Sequence, residues 1–312
     1  MASFGACYDH RFFTQPPVEA LMVHVPSSRR SLRIGCGEWG FRDLPMRRHF
    51  EIARDFGFRI LEFGIGGGRL GRLSESPTPS EIAEFLELGS EFRIATPFCC
   101  IENDFTLPDP AAHAEMLDKV LAQMRSAATC RATHVRLFAG FTPLAKMTEA
   151  LWSQLYAALT ACSTVAEQLG LTIAIETHGA IASVPQGEAI HQPTVTTDRP
   201  ALERLLREMP SSIGINYDPG NIKAAEQSST RLHLEVVDER VNYCHLKDWK
   251  RVGEGWEACG VGDDDLDYPA LLSRMRFGGV YLIEYEPLHD TEEGIRRSLE
   301  TLKNAGFSLV FE

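Results

Sequence analysis

Short apolar runs separated by amphipathic stretches recur along most of the chain. Four such runs in its second half are rich in Ile, Val, Leu and Tyr and too short for surface helices, which is typical of buried parallel strands; they cover residues 171–175, 213–217, 241–244 and 281–283. Each run is followed by a carboxylate or an imidazole side chain, and these are Glu176, Asp218, His245 and Glu284. The pattern therefore predicts four strands with ligand-type residues at their carboxyl ends.

The first half of the chain repeats the same alternation. Further apolar runs, each followed by a helical pattern, lie around Ile34 and at residues 60–63, 94–98 and 135–138. Gly170 supplies a C-terminal cap for the fourth helix. Eight strand and helix units predict a (β/α)8 TIM barrel, because closure removes exposed sheet edges. An open doubly wound sheet is the alternative.

Length and composition agree with one such domain. The chain has 312 residues and 44% hydrophobic content, enough for a single barrel over residues 31–312. Residues 1–30 have no sustained period and are interpreted as an N-terminal extension. We expect a soluble cytoplasmic protein with reduced cysteines, since the N-terminus has no apolar signal core, no stretch is apolar enough for a bilayer, and the eight cysteines are scattered.

Charge favours small solutes as partners. The net charge of −12 and the isoelectric point near 5.4 argue against binding to a nucleic-acid backbone. We therefore expect a small-molecule substrate, with no nucleic acid and no membrane as partner. The sequence leaves a homo-oligomer open.

The four strand-end residues predict a metal site. Active sites of TIM barrels lie at the carboxyl ends of the strands, and three carboxylates gathered there would repel one another without a counter-ion. Three carboxylate oxygens and one imidazole nitrogen suit Mn²⁺ or Mg²⁺, with Co²⁺, Fe²⁺ and Zn²⁺ as alternatives. Such an ion could polarise a sugar carbonyl, and Glu176 or Glu284 could move the proton of the neighbouring carbon.

Five further residues are predicted to contact the substrate. His178 and Lys247 share a strand face with Glu176 and His245, respectively, and Asn221 follows Asp218 in an Asp-Pro-Gly-Asn turn signal; the weaker candidates are Glu62 and Trp39. For His178 a satisfied interior hydrogen bond is as good an interpretation, and a tryptophan such as Trp39 is more often a packing residue than a sugar contact. The triple glycine at residues 66–68 lacks the lysine and hydroxyl of a phosphate-binding loop.

The motifs resemble the xylose isomerase-like TIM barrels, the sugar phosphate isomerase/epimerase group. The resemblance lies in Ile-Glu-Thr-His at residues 175–178, Asp-Pro-Gly-Asn at 218–221, His-Leu-Lys-Asp at 245–248 and Tyr-Leu-Ile-Glu at 281–284. A further segment, Gly-Val-Gly at 260–262 followed by Leu-Asp-Tyr-Pro at 266–269, resembles the glycine-rich turn before the seventh helix of the family.

The resemblance implies that Glu176, Asp218, His245 and Glu284 bind one divalent metal, with the two glutamates as acid and base. It implies an isomerase or epimerase of a sugar or keto-sugar, with a dehydratase or lyase on a keto-sugar or inosose as the alternative. Many members carry histidine where this chain has Asn221, which argues against a two-metal hydride shift. An abasic-site endonuclease would need more histidines and a basic groove. A non-catalytic sugar-binding scaffold is the remaining alternative.

Overall fold

The strands form a closed parallel barrel. The computed structural model describes Met1 and residues 30–183 and 188–312. In chain order its strands are β1 (Ser31–Cys36), β2 (Ile60–Ile65), β3 (Ala95–Ile101), β4 (His134–Leu137), β5 (Thr172–Glu176), β6 (Ala180–Ser183), β7 (Ala189–Gln192), β8 (Gly214–Tyr217), β9 (Val241–Leu246), β10 (Asp248–Val252), β11 (Gly255–Cys259), β12 (Val280–Ile283) and β13 (Ser308–Val310).

Eight of these strands make up the barrel, in the order β12-β9-β8-β5-β4-β3-β2-β1. The sheet closes because β1 also pairs with β12 in parallel, with Arg33 opposite Val280 and Cys36 opposite Ile283. The predicted TIM barrel is confirmed, and closure excludes the open sheet. The expected extension over residues 1–30 lies outside the described residues, apart from its two ends.

Helices surround the barrel on its outer side. They are α1 (Met46–Asp55), α2 (Pro79–Phe92), α3 (Pro110–Thr129), α4 (Glu149–Leu169), α5 (Arg199–Glu208), α6 (Pro219–Glu226), α7 (Leu234–Val237), α8 (Tyr268–Arg274) and α9 (Thr291–Asn304), with 3₁₀ turns at Trp39–Phe41 and Leu144–Lys146. Gly170 caps α4 in the left-handed conformation, as predicted. None of the described helices combines the length and the apolar character that crossing a bilayer requires.

The segment after Asp218 corrects one expectation. Its Pro-Gly-Asn sequence predicts a turn, but the structure has helix α6 there. Asp218 acts as the N-cap through its side chain, which accepts from the backbone N–H of Asn221 at 3.0 Å. Pro219 occupies the first helical position, where its missing N–H costs nothing. The cap thereby fixes the orientation of the Asp218 carboxylate at the barrel mouth.

A second, antiparallel sheet covers part of the mouth and is absent from the sequence-based expectations. Its order is β10-β11-β7-β6. Strand β6 follows the carboxyl end of β5, and β10 follows that of β9, so both hairpins begin at the end of the barrel where the predicted ligands lie.

Apolar side chains fill the barrel below that mouth. One cluster inside the barrel consists of Ile60, Phe98, Ala174, Tyr243, Val280 and Leu282. A larger cluster lies between the strands and the helices, where the rings of Phe63 and Phe85 are 4.6 Å apart. Because side chains alternate along β2, Phe63 faces the helices and Glu62 faces the interior. The packed lower layer confines the polar groups to the upper end.

Candidate metal centre

The four predicted ligands converge at the carboxyl ends of four strands. Glu176 ends β5, Asp218 follows β8, His245 lies in β9 and Glu284 follows β12. One ligand atom from each of them lies within 4.8 Å of every other, and all four residues are buried. Residues distant in sequence are therefore gathered around a volume suited to a single cation.

Hydrogen bonding fixes how His245 presents its ring. The Nε2 atom lies 2.7 Å from Oε1 of Glu62, while Nδ1 lies 3.4 Å from Oε2 of Glu284 and 3.7 Å from Oε1 of Glu176. A carboxylate beside Nε2 favours a proton on that nitrogen, so a metal would bind at Nδ1, which also lies 3.2 Å from Nδ2 of Asn216. Burial opposes the charged ring, but Glu284 and Glu62 raise the pKa of His245 well above its usual value, so a metal bound there would displace the Nδ1 proton. The ring is thus oriented for coordination through Nδ1.

Glu62, predicted to contact the substrate, lies behind His245 and is not among the residues that line the cavity described below. It is fully buried, accepts a hydrogen bond from the Tyr243 hydroxyl, and accepts another from the backbone N–H of Glu38 at 2.9 Å. Burial opposes ionisation, but the charge of His245 and its hydrogen bond lower the pKa of Glu62 below its usual value. Glu62 therefore acts as an ionised acceptor behind the histidine.

Arg136 is a member of the site that sequence reasoning missed. Its Nε lies 3.0 Å from Oε2 of Glu176, and its guanidinium lies over the ring of Phe138, 4.1 Å from the centroid. Burial alone would raise the pKa of Glu176, but Arg136 and His245 hold it at about 2. An arginine in a run predicted to be a buried strand was the available signal.

Lys247 places an ammonium group among the carboxylates. Its Nζ lies 2.8 Å from Oε2 of Glu284, 2.6 Å from Oε1 of Glu286 and 3.2 Å from Oδ2 of Asp218. Burial would lower the pKa of Lys247, but these carboxylates raise it well above the usual value. Lys247 therefore stays charged. Glu286, which was also missed, follows Glu284 by two positions just beyond the end of β12.

The carboxylate of Asp218 offers an open coordination atom. Oδ1 caps α6, whereas buried Oδ2 accepts no well-aligned hydrogen bond among the described residues and has the Lys247 ammonium 3.2 Å away. Burial first, and then repulsion from Glu176 and Glu284, raise the pKa of Asp218 to about 7 despite the nearby Lys247. The surroundings of Asp218 disfavour its ionised form, and a cation bound beside the carboxylate would stabilise that form.

Asn221 connects Glu176 to Trp249 and is not among the residues that line the cavity described below. Its Nδ2 donates to Oε1 of Glu176 at 3.1 Å, and its Oδ1 accepts from the indole N–H of Trp249 at 3.1 Å. Both contacts are buried. The amide orients Glu176, which is a supporting role.

A cavity of about 440 Å³ opens over the candidate ligands. It is lined by Trp39, Glu102, Arg136, Phe138, Phe141, Glu176, His178, Ala180, Ile181, Lys247, Glu284 and Glu286. Three of the five predicted substrate contacts, Trp39, His178 and Lys247, thus reach the cavity wall. The edges of Phe138 and Phe141 pack on the His178 ring with centroids 5.0 and 5.4 Å apart. The cavity has the size of a small-molecule site.

The residues present fit a divalent cation. Three carboxylates and one imidazole form a mixed oxygen and nitrogen donor set, and one of its oxygens, Oδ2 of Asp218, accepts no well-aligned hydrogen bond among the described residues. The profile of the family described as xylose isomerase-like TIM barrel matches residues 50–305. The chain belongs to this family.

Solved structures show the same fold at low identity. The IolI protein with a bound zinc atom is 16% identical, with a TM-score of 0.68, over 88% of this chain and 98% of that chain. The 3-keto-D-glucoside 4-epimerase YcjR of E. coli is 14% identical, with a TM-score of 0.66, over 88% and 100%. The probable 3-DHS dehydratase AsbF of Bacillus anthracis is 13% identical, with a TM-score of 0.64, over 88% and 99%. Comparison with curated proteins found no match.

Proposed function

We propose that the protein is a divalent-metal-dependent epimerase or isomerase of a sugar or keto-sugar. The observation that carries the proposal is the convergence of Glu176, Asp218, His245 and Glu284 beneath an open cavity. These four residues would hold the ion, with Mn²⁺ or Mg²⁺ as the preferred candidates. Sugar-epimerase and zinc-bound relatives with the same fold support the choice of reaction class and the need for a divalent metal.

The two glutamates approach the centre from different sides. Glu176 ends β5 and Glu284 follows β12, and in the barrel order these strands are separated by β8 and β9. Epimerisation needs a proton removed from one face of a carbon and returned to the other, so two carboxylates that reach the centre from separate strands suit it. When bound, the metal would supply Lewis acidity that polarises a substrate carbonyl.

The neighbouring cations keep both glutamates ionised. Arg136 contacts Glu176 at 3.0 Å, and Lys247 contacts Glu284 at 2.8 Å. Despite the cost of burial, the charges of His245 and Lys247 hold the pKa of Glu284 well below its usual value. Each carboxylate is therefore present in the unprotonated form that a general base requires, while the Lys247 ammonium can stabilise negative charge that develops on a substrate oxygen.

A dehydratase is the second candidate, and Lys247 is the observation that favours it. Elimination begins with the same proton removal beside a carbonyl, but it also needs a proton for the departing hydroxyl. The Nζ of Lys247 lines the cavity, carries a proton and lies 2.8 Å from a candidate base. The likeness to a probable dehydratase agrees with this alternative.

Proton exchange with solvent tests the proposal. Purified protein is stripped with a chelator, reloaded in turn with Mn²⁺, Mg²⁺, Co²⁺ or Zn²⁺, and incubated with keto-sugars in deuterated water. NMR should show deuterium at the carbon beside the carbonyl and an inverted product. An unsaturated product would identify the dehydratase. Absence of exchange with every metal and sugar would reject both reactions and favour the scaffold.

A further inference from the structure

A second, larger cavity adjoins the metal pocket. It has a volume of about 860 Å³ and lies between the β10–β11 hairpin and residues 285–290. We call it the outer groove, and it is lined by Arg42, Ala189, Trp249, Lys250, Trp256, Glu257, Ala258, Cys259, Asp263, Tyr285, Glu286, Pro287, Leu288, His289, Asp290 and Arg297. Its volume is at the upper end of the range for small-molecule sites, ~300–1,000 Å³.

The outer groove and the metal pocket share one wall. Glu286 lines both cavities, and its carboxylate accepts from Lys247 while its backbone oxygen accepts from Arg42 at 2.9 Å. The Arg42 guanidinium lies 4.8 Å from the centroid of the Trp39 ring, which lines the metal pocket. A ligand that extends beyond the metal pocket over Glu286 would therefore enter the outer groove.

The groove has the surface chemistry for a neutral, hydroxyl-rich group. Its cations lie beside carboxylates or backbone oxygens: Arg297 pairs with Asp263 at 3.0 Å, and exposed Lys250 lies 4.0 Å from Glu257, at the limit of an ion pair. Arg42 donates to two backbone oxygens. A phosphate or carboxylate would have to displace these partners and face four acidic groups, whereas sugar hydroxyls can both donate to the carboxylates and accept from the cations.

We propose that the outer groove binds a second, uncharged sugar unit, so that the substrate is a glycoside of a keto-sugar. The keto ring would occupy the metal pocket and its glycosidic partner would cross Glu286 into the groove. The largely buried indoles of Trp249 and Trp256 form the apolar part of the groove wall, and the paired charges form the polar part. This inference rests on the proposed function and adds the substrate class to it.

Three matched substrates test the inference in the metal-loaded protein. They are a free keto-hexose, a disaccharide with the same keto-hexose as its non-reducing unit, and the corresponding glycosyl phosphate. We expect kcat/KM to be at least about tenfold higher for the disaccharide than for the free sugar, with no gain for the phosphate. Equal kcat/KM for disaccharide and free sugar would overturn the second subsite and leave the proposed function intact. No turnover of any of the three would overturn both.

A substitution in the groove gives an independent readout. Leu288→Trp adds bulk at a groove residue that is 53% exposed, so folding should tolerate it. We expect it to reduce the disaccharide preference about tenfold. Leu70→Trp is the matched control, because Leu70 is 65% exposed and lines neither cavity, and it should keep the wild-type preference. An unchanged preference in Leu288→Trp would contradict the groove assignment.

Discussion

Glu62→Gln should weaken metal binding without touching a proposed ligand. The glutamine oxygen can still accept from Nε2 of His245, which lies 2.7 Å from the carboxylate, so the ring orientation should survive. The glutamine NH2 would face the backbone N–H of Glu38, so some stability is lost and binding is measured on protein shown to be folded. The substitution removes the negative charge that makes the His245 imidazole a stronger electron donor to a metal. A charge-assisted hydrogen bond in a buried site is worth about 1.5–3 kcal/mol against about 1 kcal/mol for a neutral one.

The difference predicts a measurable change in affinity. About 1–2 kcal/mol corresponds to a five- to thirtyfold weaker metal complex, in line with the ~10–100-fold cost of removing residues that support metal ligands. Titration calorimetry of Mn²⁺ into chelator-stripped wild type and Glu62→Gln measures the ratio of dissociation constants directly.

Glu102→Gln is the matched control for this titration. Glu102 is a carboxylate at the same mouth, but its side-chain contacts are to Arg72 at 3.2 Å and Arg136 at 3.5 Å, with none to the four candidate ligands among the described residues. Its dissociation constant should stay within about twofold of wild type. If folded Glu62→Gln bound Mn²⁺ as tightly as wild type, the argument that Glu62 tunes His245 would be wrong.

Three further changes probe the base, a buried acid and the packing. At saturating Mn²⁺, Glu284→Gln should lower kcat about 10²–10⁴-fold while keeping the fold, because an amide cannot take the proton and is a weaker metal ligand than a carboxylate; a deuterium-exchange assay measures it. Burial raises the pKa of Glu38 from 4.5 to about 7 despite Arg72, so the folded state holds a proton that the unfolded state loses. Stability from this group is therefore present below pH 4.5 and is lost as pH rises to 7, and urea unfolding of wild type against Glu38→Gln should show a difference of about 3 kcal/mol across that window. Gly220→Ala should cost about 1–3 kcal/mol in thermal unfolding, since its Cβ would lie 2.5 Å from the backbone oxygen of Lys247.

Each of these has a clear contrary result. Near wild-type exchange in Glu284→Gln would remove that residue from the proton transfer. Parallel unfolding curves for wild type and Glu38→Gln at all pH values would show that Glu38 does not titrate in this window. An unchanged melting temperature in Gly220→Ala would mean that α6 can move away from Lys247.

Sequence periodicity was sufficient for the barrel and for the four candidate ligands. Each barrel strand is a compact apolar run, and its polar successor is placed at the mouth by the parallel arrangement alone. Trp39, His178 and Lys247 reached the pocket for the same reason, as they lie at or just beyond strand ends.

Roles that depend on tertiary contacts could not be predicted in the same way. Glu62 and Asn221 are polar residues at suitable places in the sequence, but only the folded chain shows that they face candidate ligands from behind. Arg136 is a charged residue inside an apolar run. Such a residue indicates a buried ion pair, but the sequence does not show which carboxylate it contacts. Helix α6 was not predicted because the Pro-Gly-Asn sequence favours a turn locally. The Asp218 cap that stabilises the helix depends on the rest of the fold.

Anomalous diffraction from crystals grown with Mn²⁺ tests the central claim most directly. The account predicts one strong peak, about 2.0–2.4 Å from an oxygen of each of Glu176, Asp218 and Glu284 and from Nδ1 of His245. Coordination through Nε2 of His245 would contradict the role of Glu62. A fully occupied ion elsewhere, or no peak among these four side chains at saturating Mn²⁺, would contradict the metal centre itself.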